Sequence, residues 1–64
     1  MIPGALITEC RKREGLSQRK LAALLYLTPQ TVSHLEHYDS ISITSLRRAL
    51  DIMGYDLILQ AVKR

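Results

Sequence analysis

The sequence predicts an all-α fold of four short helices followed by one short C-terminal β-strand. The helices are predicted because apolar residues recur at spacings of three and four, in stretches separated by residues that start or end helices. The strand is predicted because this period changes near the C-terminus, where β-branched and aromatic residues gather. A chain of 64 residues has room for one small core, so residues 1–64 are expected to form a single domain.

The first two helices are predicted from a glycine and a serine that lie close together. The first helix is expected at about residues 5–13, with Gly15 ending it in a left-handed cap. Ser17 can accept a hydrogen bond from a first-turn amide, so it suits the N-cap of a second helix at 18–25. The inward side chains of the first helix form one of two sets: Ile2, Leu6 and Cys10, or Ile7 and Cys10.

The third helix has the clearest start. Thr28 offers a capping hydroxyl, and Pro29 has a φ that suits the first helical position, so a helix is predicted at 29–37. Residues 38–42 read as a polar connection to a fourth helix at 43–53, which ends at Gly54. The apolar stripe of that helix is Ile43, Leu46, Leu50 and Met53.

The C-terminal segment is predicted to be a strand at about residues 56–62. Leu57, Leu59 and Ala61 alternate with Ile58, Gln60 and Val62, and Gly54 argues against the alternative that the fourth helix simply continues. A lone strand has no pairing partner in its own chain, so two copies are expected to form an antiparallel ribbon and a homodimer. The expected dimerisation residues are Tyr55, Leu57, Ile58, Leu59 and Val62.

The second and third helices together have the character of a helix-turn-helix. Ala22 is the small residue that a close helix crossing needs, and apolar residues at helical spacing can pin both helices to a core: Leu21, Leu25, Leu27, Val32 and Leu35. The other face of the third helix is polar and not anionic, with Gln30, Thr31, Ser33 and His34. A second helix of this kind is suited to entering the major groove of DNA.

Composition agrees with a polyanionic partner, although it is weak evidence by itself. The formal charge is +3 and the pI is near 9.4. With three Tyr and no Phe or Trp, the chain has little aromatic surface for stacking single-stranded bases. One cysteine, no secretory signal and no apolar run of about 20 residues lead us to expect a cytoplasmic protein with no membrane partner.

Catalysis and cofactor binding find no support in the sequence. His34 and His37 are three apart, which is not the spacing of a metalloprotease helix, and no third ligand accompanies them. Cys10 is expected in the core, and the chain contains no glycine-rich phosphate loop. We therefore expect neither an enzyme nor a metal or cofactor site.

The segment RKREGLSQRKLAALLYLTPQTVSHLE resembles the Cro/C1-type (Xre) helix-turn-helix transcriptional regulators, and the likeness extends over residues 5–54. It rests on Gly15-Leu16-Ser17-Gln18, Leu21-Ala22, and Thr31-Val32-Ser33 with Glu36. The resemblance implies a lambda-repressor-like fold and sequence-specific binding to double-stranded DNA. The ending ISITSLRRALDIMGYDLILQAVKR is similar to HipB-like antitoxins, which implies repression of the chain's own operon and a HipA-like kinase toxin as partner.

The resemblance also implies roles for individual residues. Gln18 matches a glutamine that bonds a DNA phosphate and braces the recognition helix, and Arg11 with Glu36 matches a structural ion pair. Among the base-reading positions, Gln30 suits adenine, and His34 suits guanine N7 or a phosphate. The DNA-contacting set is Gln18, Arg19, Thr28, Gln30, Thr31, Ser33, His34, His37 and Tyr38.

Several basic side chains are candidates for further phosphate contacts, and a solvated helix face is an equally good reading of each. They are Lys12, Arg13, Arg19, Lys20, Arg47 and Arg48.

Two residues depart from the family pattern. Pro29 stands where many relatives have a base-contacting glutamine, and Tyr26 stands in the turn where glycine is common. A tyrosine with positive φ costs about 1 kcal/mol. We therefore expect the turn to adjust, with the Tyr26 ring covering the core or contacting the DNA backbone.

Two alternatives to an antitoxin remain open. A phage Cro-like repressor or a restriction-modification controller has the same DNA chemistry without a toxin partner, and a protein-interaction module uses the basic face without any operator. If a kinase toxin binds, the acidic residues expected away from DNA are Glu9, Glu14, Asp51 and Asp56.

Overall fold

The computed structural model describes residues 3–38 and 41–64, and these contain four α-helices, as expected from the sequence. The helices are α1 (Ala5–Arg13), α2 (Gln18–Leu25), α3 (Pro29–His37) and α4 (Ile43–Ile52). Helix α3 packs against α1 and α2, and α4 packs against the same two helices. Of the predicted elements, Ile2 and the connection residues Asp39 and Ser40 lie outside the described residues.

Three of the helices begin at a hydroxyl side chain. Ser17, Thr28 and Ser42 each accept a hydrogen bond from the backbone N–H three residues later, at 3.0, 3.2 and 3.1 Å. Each bond satisfies an amide that has no partner inside its helix. The cap at Ser42 was missed by the sequence analysis, which treated that residue only as part of a polar connection.

Glycines end α1 and α4. Gly15 has a φ of 68°, and the Leu16 N–H just after it donates to the Arg11 carbonyl at 2.9 Å. Gly54 has a φ of 87°, and the next N–H, that of Tyr55, donates to the Leu50 carbonyl at 2.9 Å. Both arrangements satisfy a carbonyl of the final turn by reversing the chain through a left-handed residue. The fourth helix therefore does not continue into the C-terminal segment.

The core is aliphatic and lies between the four helices. Its buried residues are Ile7, Cys10, Leu21, Ala22, Leu25, Val32, Leu46, Ala49, Leu50 and Met53. Of the two inward sets considered for α1, the pair Ile7 and Cys10 is buried, whereas Leu6 is only half-buried. Leu27 and Ile43 were expected in the core but are 41% and 47% exposed; Leu27 lies in the turn before α3, and Ile43 is the first residue of α4.

Tyr26 corrects another expectation. The turn between α2 and α3 does not adjust: Tyr26 keeps a left-handed backbone, with φ 58° and ψ 39°. Its side chain is 94% exposed, so the ring does not cover the core either. Contact with the DNA backbone stays a prediction.

Residues 55–64 have no regular secondary structure in a single copy of the chain. Tyr55 and Leu57 are half-buried against the core, whereas Ile58, Leu59 and Val62 are exposed. A strand exists only when a neighbour completes its hydrogen-bond ladder, and one copy offers no neighbour. The predicted ribbon and the dimer it would form thus remain predictions. None of the helices within 3–38 and 41–64 is long and apolar enough to cross a membrane.

Candidate nucleic-acid interface

Helix α3 has one buried side and one exposed polar side. Val32 and Glu36 face the interior, Ser33 is half-buried, and the exposed polar residues are Gln30, Thr31, His34 and His37. Gln30, His34 and His37 are spaced by four and three positions, so they follow one another along the same helix face. This is the face on which a helix entering a groove would present its side chains.

Gln30 and His34 differ from their neighbours because, within the described residues, neither side chain makes a hydrogen bond to protein. Thr28 and Thr31, in contrast, are engaged with each other: their hydroxyl oxygens lie 2.9 Å apart, and Thr28 also accepts the Thr31 amide. The base-reading capacity of α3 therefore rests on Gln30 and His34 more than on the two threonines.

The ring of His37 is oriented by its own helix. Its Nδ1 lies 2.7 Å from the Ser33 carbonyl oxygen. A carbonyl only accepts hydrogen bonds, so Nδ1 is the donor in this contact. Nε2 is the ring nitrogen left for another partner, and it can donate to a phosphate only when the ring is charged.

His34 and Tyr38 form an aromatic pair at the C-terminal end of α3. Their ring centroids are 4.0 Å apart and the planes are tilted by 48°. Tyr38 is the C-cap residue and is 48% exposed. The contact restricts the rotamers of His34, so this side chain is partly oriented before it meets any ligand.

Behind the exposed face, Glu36 joins three helices. Arg11 of α1 donates to it from Nε at 2.9 Å and from Nη2 at 3.2 Å, and Gln18 of α2 donates from Nε2 at 3.1 Å. Arg11 Nη1 also donates to the Leu16 carbonyl at 2.8 Å. Burial raises the pKa of Glu36, but the hydrogen bonds from Arg11 and Gln18 outweigh it and hold the pKa below its ordinary value.

Gln18 therefore binds the recognition helix directly. The sequence predicted this contact only through its resemblance to the Cro/C1-type regulators. Its amide nitrogen donates to Glu36, while the residue itself remains half-buried at the first turn of α2. A second amide hydrogen is left for another acceptor. The predicted phosphate contact of Gln18 needs that hydrogen.

The basic side chains are not equally available. Arg13 forms an exposed ion pair with Glu9, Nη2 to Oε1 at 2.9 Å. The other candidates for phosphate contacts are exposed: Lys12, Arg19, Lys20, Arg47 and Arg48. Since Arg13 already has a carboxylate partner, it is the weakest of the six candidates.

The comparisons with known proteins agree with this geometry. A helix-turn-helix family model matches residues 7–59, which contain α1 from its third residue onward and the whole of α2, α3 and α4. The chain belongs to the Cro/C1-type helix-turn-helix family. It is 37% identical over 59 residues to the HTH-type transcriptional regulator PuuR of Escherichia coli (strain K12), and equally to that of Shigella flexneri.

The two PuuR matches cover 89% of this chain and 31% of each relative, so the chain spans about a third of their length. No solved structure gives a significant match. What the family shows for this chain is a DNA-binding helix-turn-helix domain.

Within residues 3–38 and 41–64, no three His, Cys, Asp or Glu side chains are grouped so that they could hold a metal ion. Cys10 is buried, and burial raises the pKa of its thiol. A protonated thiol is a poor nucleophile and a poor ligand. Cys10 acts as a core residue, as expected.

Away from α3, an open groove of ≈ 810 Å³ lies between α4 and the start of the C-terminal segment. It is lined by Ile43, Thr44, Arg47, Arg48, Asp51, Tyr55, Asp56 and Leu57. Two of the four acidic residues proposed for a toxin contact are already engaged, since Glu9 binds Arg13 and Glu14 accepts the Tyr55 hydroxyl at 2.8 Å. Asp51 and Asp56 are the two that line the groove.

One residue that positions α3 escaped the sequence analysis altogether. Gly4 is buried before α1, and a Cβ built there would collide with the Leu35 carbonyl oxygen of α3. Its φ is −62°, which every residue type can adopt. Glycine is therefore required because there is no room for a Cβ, and not because of its backbone freedom. Nothing local in the sequence signals such a contact, because the two residues are brought together only by the packing of α1 on α3.

Proposed function

We propose that this chain is a sequence-specific double-stranded DNA-binding module that represses transcription. The observation that carries the proposal is the two-sided character of α3. Gln30 and His34 are exposed, and their side chains make no hydrogen bond within the described residues. On the opposite side, Glu36 accepts hydrogen bonds from Arg11 of α1 and Gln18 of α2. A rigidly held helix with a polar outer face can present base-reading groups at low entropic cost.

The chemistry of the outer face suits the major groove. The Gln30 amide can bond adenine at N6 and N7, and His34 can donate to guanine N7 or to a phosphate. Arg19 and Lys20, exposed in the first turn of α2, provide positive charge beside Gln18. A net charge of +3 favours the approach of a polyanion.

The proposed active form is a homodimer. The exposed apolar side chains of Ile58, Leu59 and Val62 are better placed in an interface than in water. Antiparallel pairing of two C-terminal segments would also satisfy their backbone groups. A two-fold dimer that presents its recognition helices about 34 Å apart reads an inverted-repeat operator.

The antitoxin subtype is not part of this proposal. The matched relatives are HTH-type transcriptional regulators, and they lend no support to a HipB-like role or to a HipA-like kinase partner. That subtype therefore remains a prediction from the resemblance of the fourth helix and the C-terminal segment. The phage-repressor and restriction-modification alternatives share the proposed DNA chemistry.

Selection of binding sites from a random duplex library, followed by salt titration on the selected DNA, tests the function. We expect enrichment of an inverted repeat, and an affinity at least 10³-fold above that for scrambled duplex, the lower end for specific binding. The same titration on heparin, a polyanion without bases, is the control. Equal binding to selected DNA, scrambled DNA and heparin would refute sequence-specific recognition and favour the protein-interaction module.

A further inference from the structure

The C-terminal end of α3 contains two residues that contact each other twice. Tyr38 ends the helix with an extended backbone, at φ −86° and ψ 136°, yet its N–H still donates to the His34 carbonyl at 3.0 Å. The same two residues also meet through their rings, whose centroids are 4.0 Å apart with a tilt of 48° between the planes. The backbone bond thus holds Tyr38 at a place from which its ring lies against the imidazole.

The ring contact matters because an exposed histidine is poorly oriented by itself. The χ2 torsion of histidine has a broad, roughly two-fold distribution, so the plane of a solvated imidazole is not well defined. A hydrogen bond from the ring to a base weakens steeply when the N–H does not point at the acceptor. A neighbouring ring that narrows χ2 in the free protein removes part of the ordering cost that His34 would otherwise meet on DNA.

We infer that Tyr38 is a positioning residue for base recognition, because its ring holds the imidazole of His34 in the plane from which His34 contacts its base. This inference rests on the proposed function and adds to it a specificity determinant that lies just beyond the recognition helix. The phenol hydroxyl is not needed for this role, since the contact with His34 is made by the ring. The direct DNA contact predicted for Tyr38 is a separate role that would not depend on His34.

The other polar side chains on this face of α3 depend less on Tyr38. Gln30 lies eight positions before it, about 12 Å along the helix axis. His37 is oriented by its own contact with the Ser33 carbonyl oxygen, at 2.7 Å. Loss of the Tyr38 ring should therefore disturb recognition at the base pair that His34 contacts and leave the base pair of Gln30 unaffected.

Scanning the selected operator one base pair at a time tests the inference. Affinities are measured for wild type, His34→Ala, Tyr38→Leu and Tyr38→Phe on the operator and on duplexes with one changed base pair each. The base pair at which His34→Ala loses its preference is the one that His34 contacts. We expect Tyr38→Leu to lose preference at that same base pair and to bind the intact operator about 2–10-fold more weakly, as for the ordering of one side chain. Tyr38→Phe keeps the ring and should keep the preference.

A double-variant cycle tests whether Tyr38 acts through His34. In a His34→Ala background the Tyr38 ring has no imidazole to orient, so Tyr38→Leu should cause no further loss of preference or affinity. Equal losses in the two backgrounds would overturn the inference, because Tyr38 would then act on DNA or on the fold by itself. Loss of preference at the base pair of Gln30 in Tyr38→Leu would overturn it as well, since the whole helix would then be disturbed.

Proton NMR of the free protein provides a measurement that needs no DNA. The ring current of an aromatic side chain 4.0 Å away should displace the His34 ring-proton resonances. We expect Tyr38→Leu to remove this displacement and Tyr38→Phe to retain it. His34 resonances that are the same in wild type and Tyr38→Leu would show that the rings do not pair in solution, and would overturn the inference.

The outcomes separate this inference from the proposed function. A protein that selects no operator would overturn sequence-specific recognition, and with it any role of Tyr38 in base reading. A protein that selects an operator, but keeps every base-pair preference in Tyr38→Leu, would overturn the positioning role alone. The same holds for a His34→Ala protein that keeps every preference, because His34 would then contact no base.

Discussion

Arg11 and Glu36, 25 positions apart in the sequence, form a two-point ion pair behind the recognition helix. The Glu36 side chain is 1% exposed and that of Arg11 is 12% exposed. Because both groups are nearly withdrawn from water, each depends on the other for its solvation. The pair therefore couples the position of α3 to that of α1.

Replacing Arg11 by Met should destabilise the domain by about 3 kcal/mol, because it leaves a buried carboxylate with Gln18 as its main remaining donor. Urea denaturation measures the change. Arg13→Met is the matched control, since it breaks an ion pair whose side chains are 59% and 57% exposed, and it should have little effect. Similar losses in the two variants would contradict a special role for the buried pair.

Stability should fall in acid because of Glu36. Its folded-state pKa lies below the ordinary 4.5, so the folded state binds this proton less readily than the unfolded state. The contribution is complete above the ordinary pKa and is lost as the pH falls through the lowered one. Unfolding free energies of wild type and Glu36→Gln, measured between about pH 7 and 2.5, should converge toward the acid end. A constant difference between the two proteins would show that Glu36 is not the group responsible.

Substituting Gly4 by Ala should cost about 1–3 kcal/mol, because the added Cβ meets the Leu35 carbonyl and α1 must shift away from α3. Thermal unfolding measures the loss, and Ala5→Ser at the exposed neighbouring position is the control. Operator affinity should also fall, since α3 loses one of its supports. A neutral Gly4→Ala variant would mean that α1 can move at no cost.

Tyr26 offers a test of opposite sign. Tyr26→Asn should raise stability by up to about 1 kcal/mol, because asparagine tolerates the left-handed backbone better than tyrosine does. Ala23→Gly, at an exposed site in α2, should lower stability by about 1 kcal/mol. The same Tyr26→Asn protein tests the predicted backbone contact: unchanged affinity for the selected DNA would exclude it.

Alanine substitutions at Gln30 and Arg19 should distinguish base reading from phosphate binding. Gln30→Ala should cost about 1–3 kcal/mol on the selected operator and much less on scrambled DNA, because only a base contact is lost. Arg19→Ala should weaken both complexes similarly and reduce the salt slope by about 0.9 for a lost phosphate contact. Gel shifts over a salt series measure both effects, and equal losses on both DNAs for Gln30→Ala would overturn its assignment.

Most of the secondary structure can be predicted from short-range signals in this sequence. A capping hydroxyl accepts a hydrogen bond from the amide three residues later, and a left-handed glycine reverses the chain within a single turn. Ser17, Thr28 and Gly15 therefore mark helix ends that can be predicted from their immediate sequence neighbours. The exposed stripe of Gln30 and His34 follows equally from the helical period. These features were predictable because their causes lie within a few residues.

The contacts that hold α3 behind its exposed face were determined by the tertiary structure. The contact of Gln18 with Glu36 and the close approach of Gly4 to Leu35 depend on how α1, α2 and α3 pack together. Tyr26 keeps the left-handed turn because the packing of α2 and α3 requires that path, whatever the residue prefers. The C-terminal segment has no regular secondary structure in one copy, and the strand predicted at residues 56–62 needs a pairing partner that a single copy does not offer.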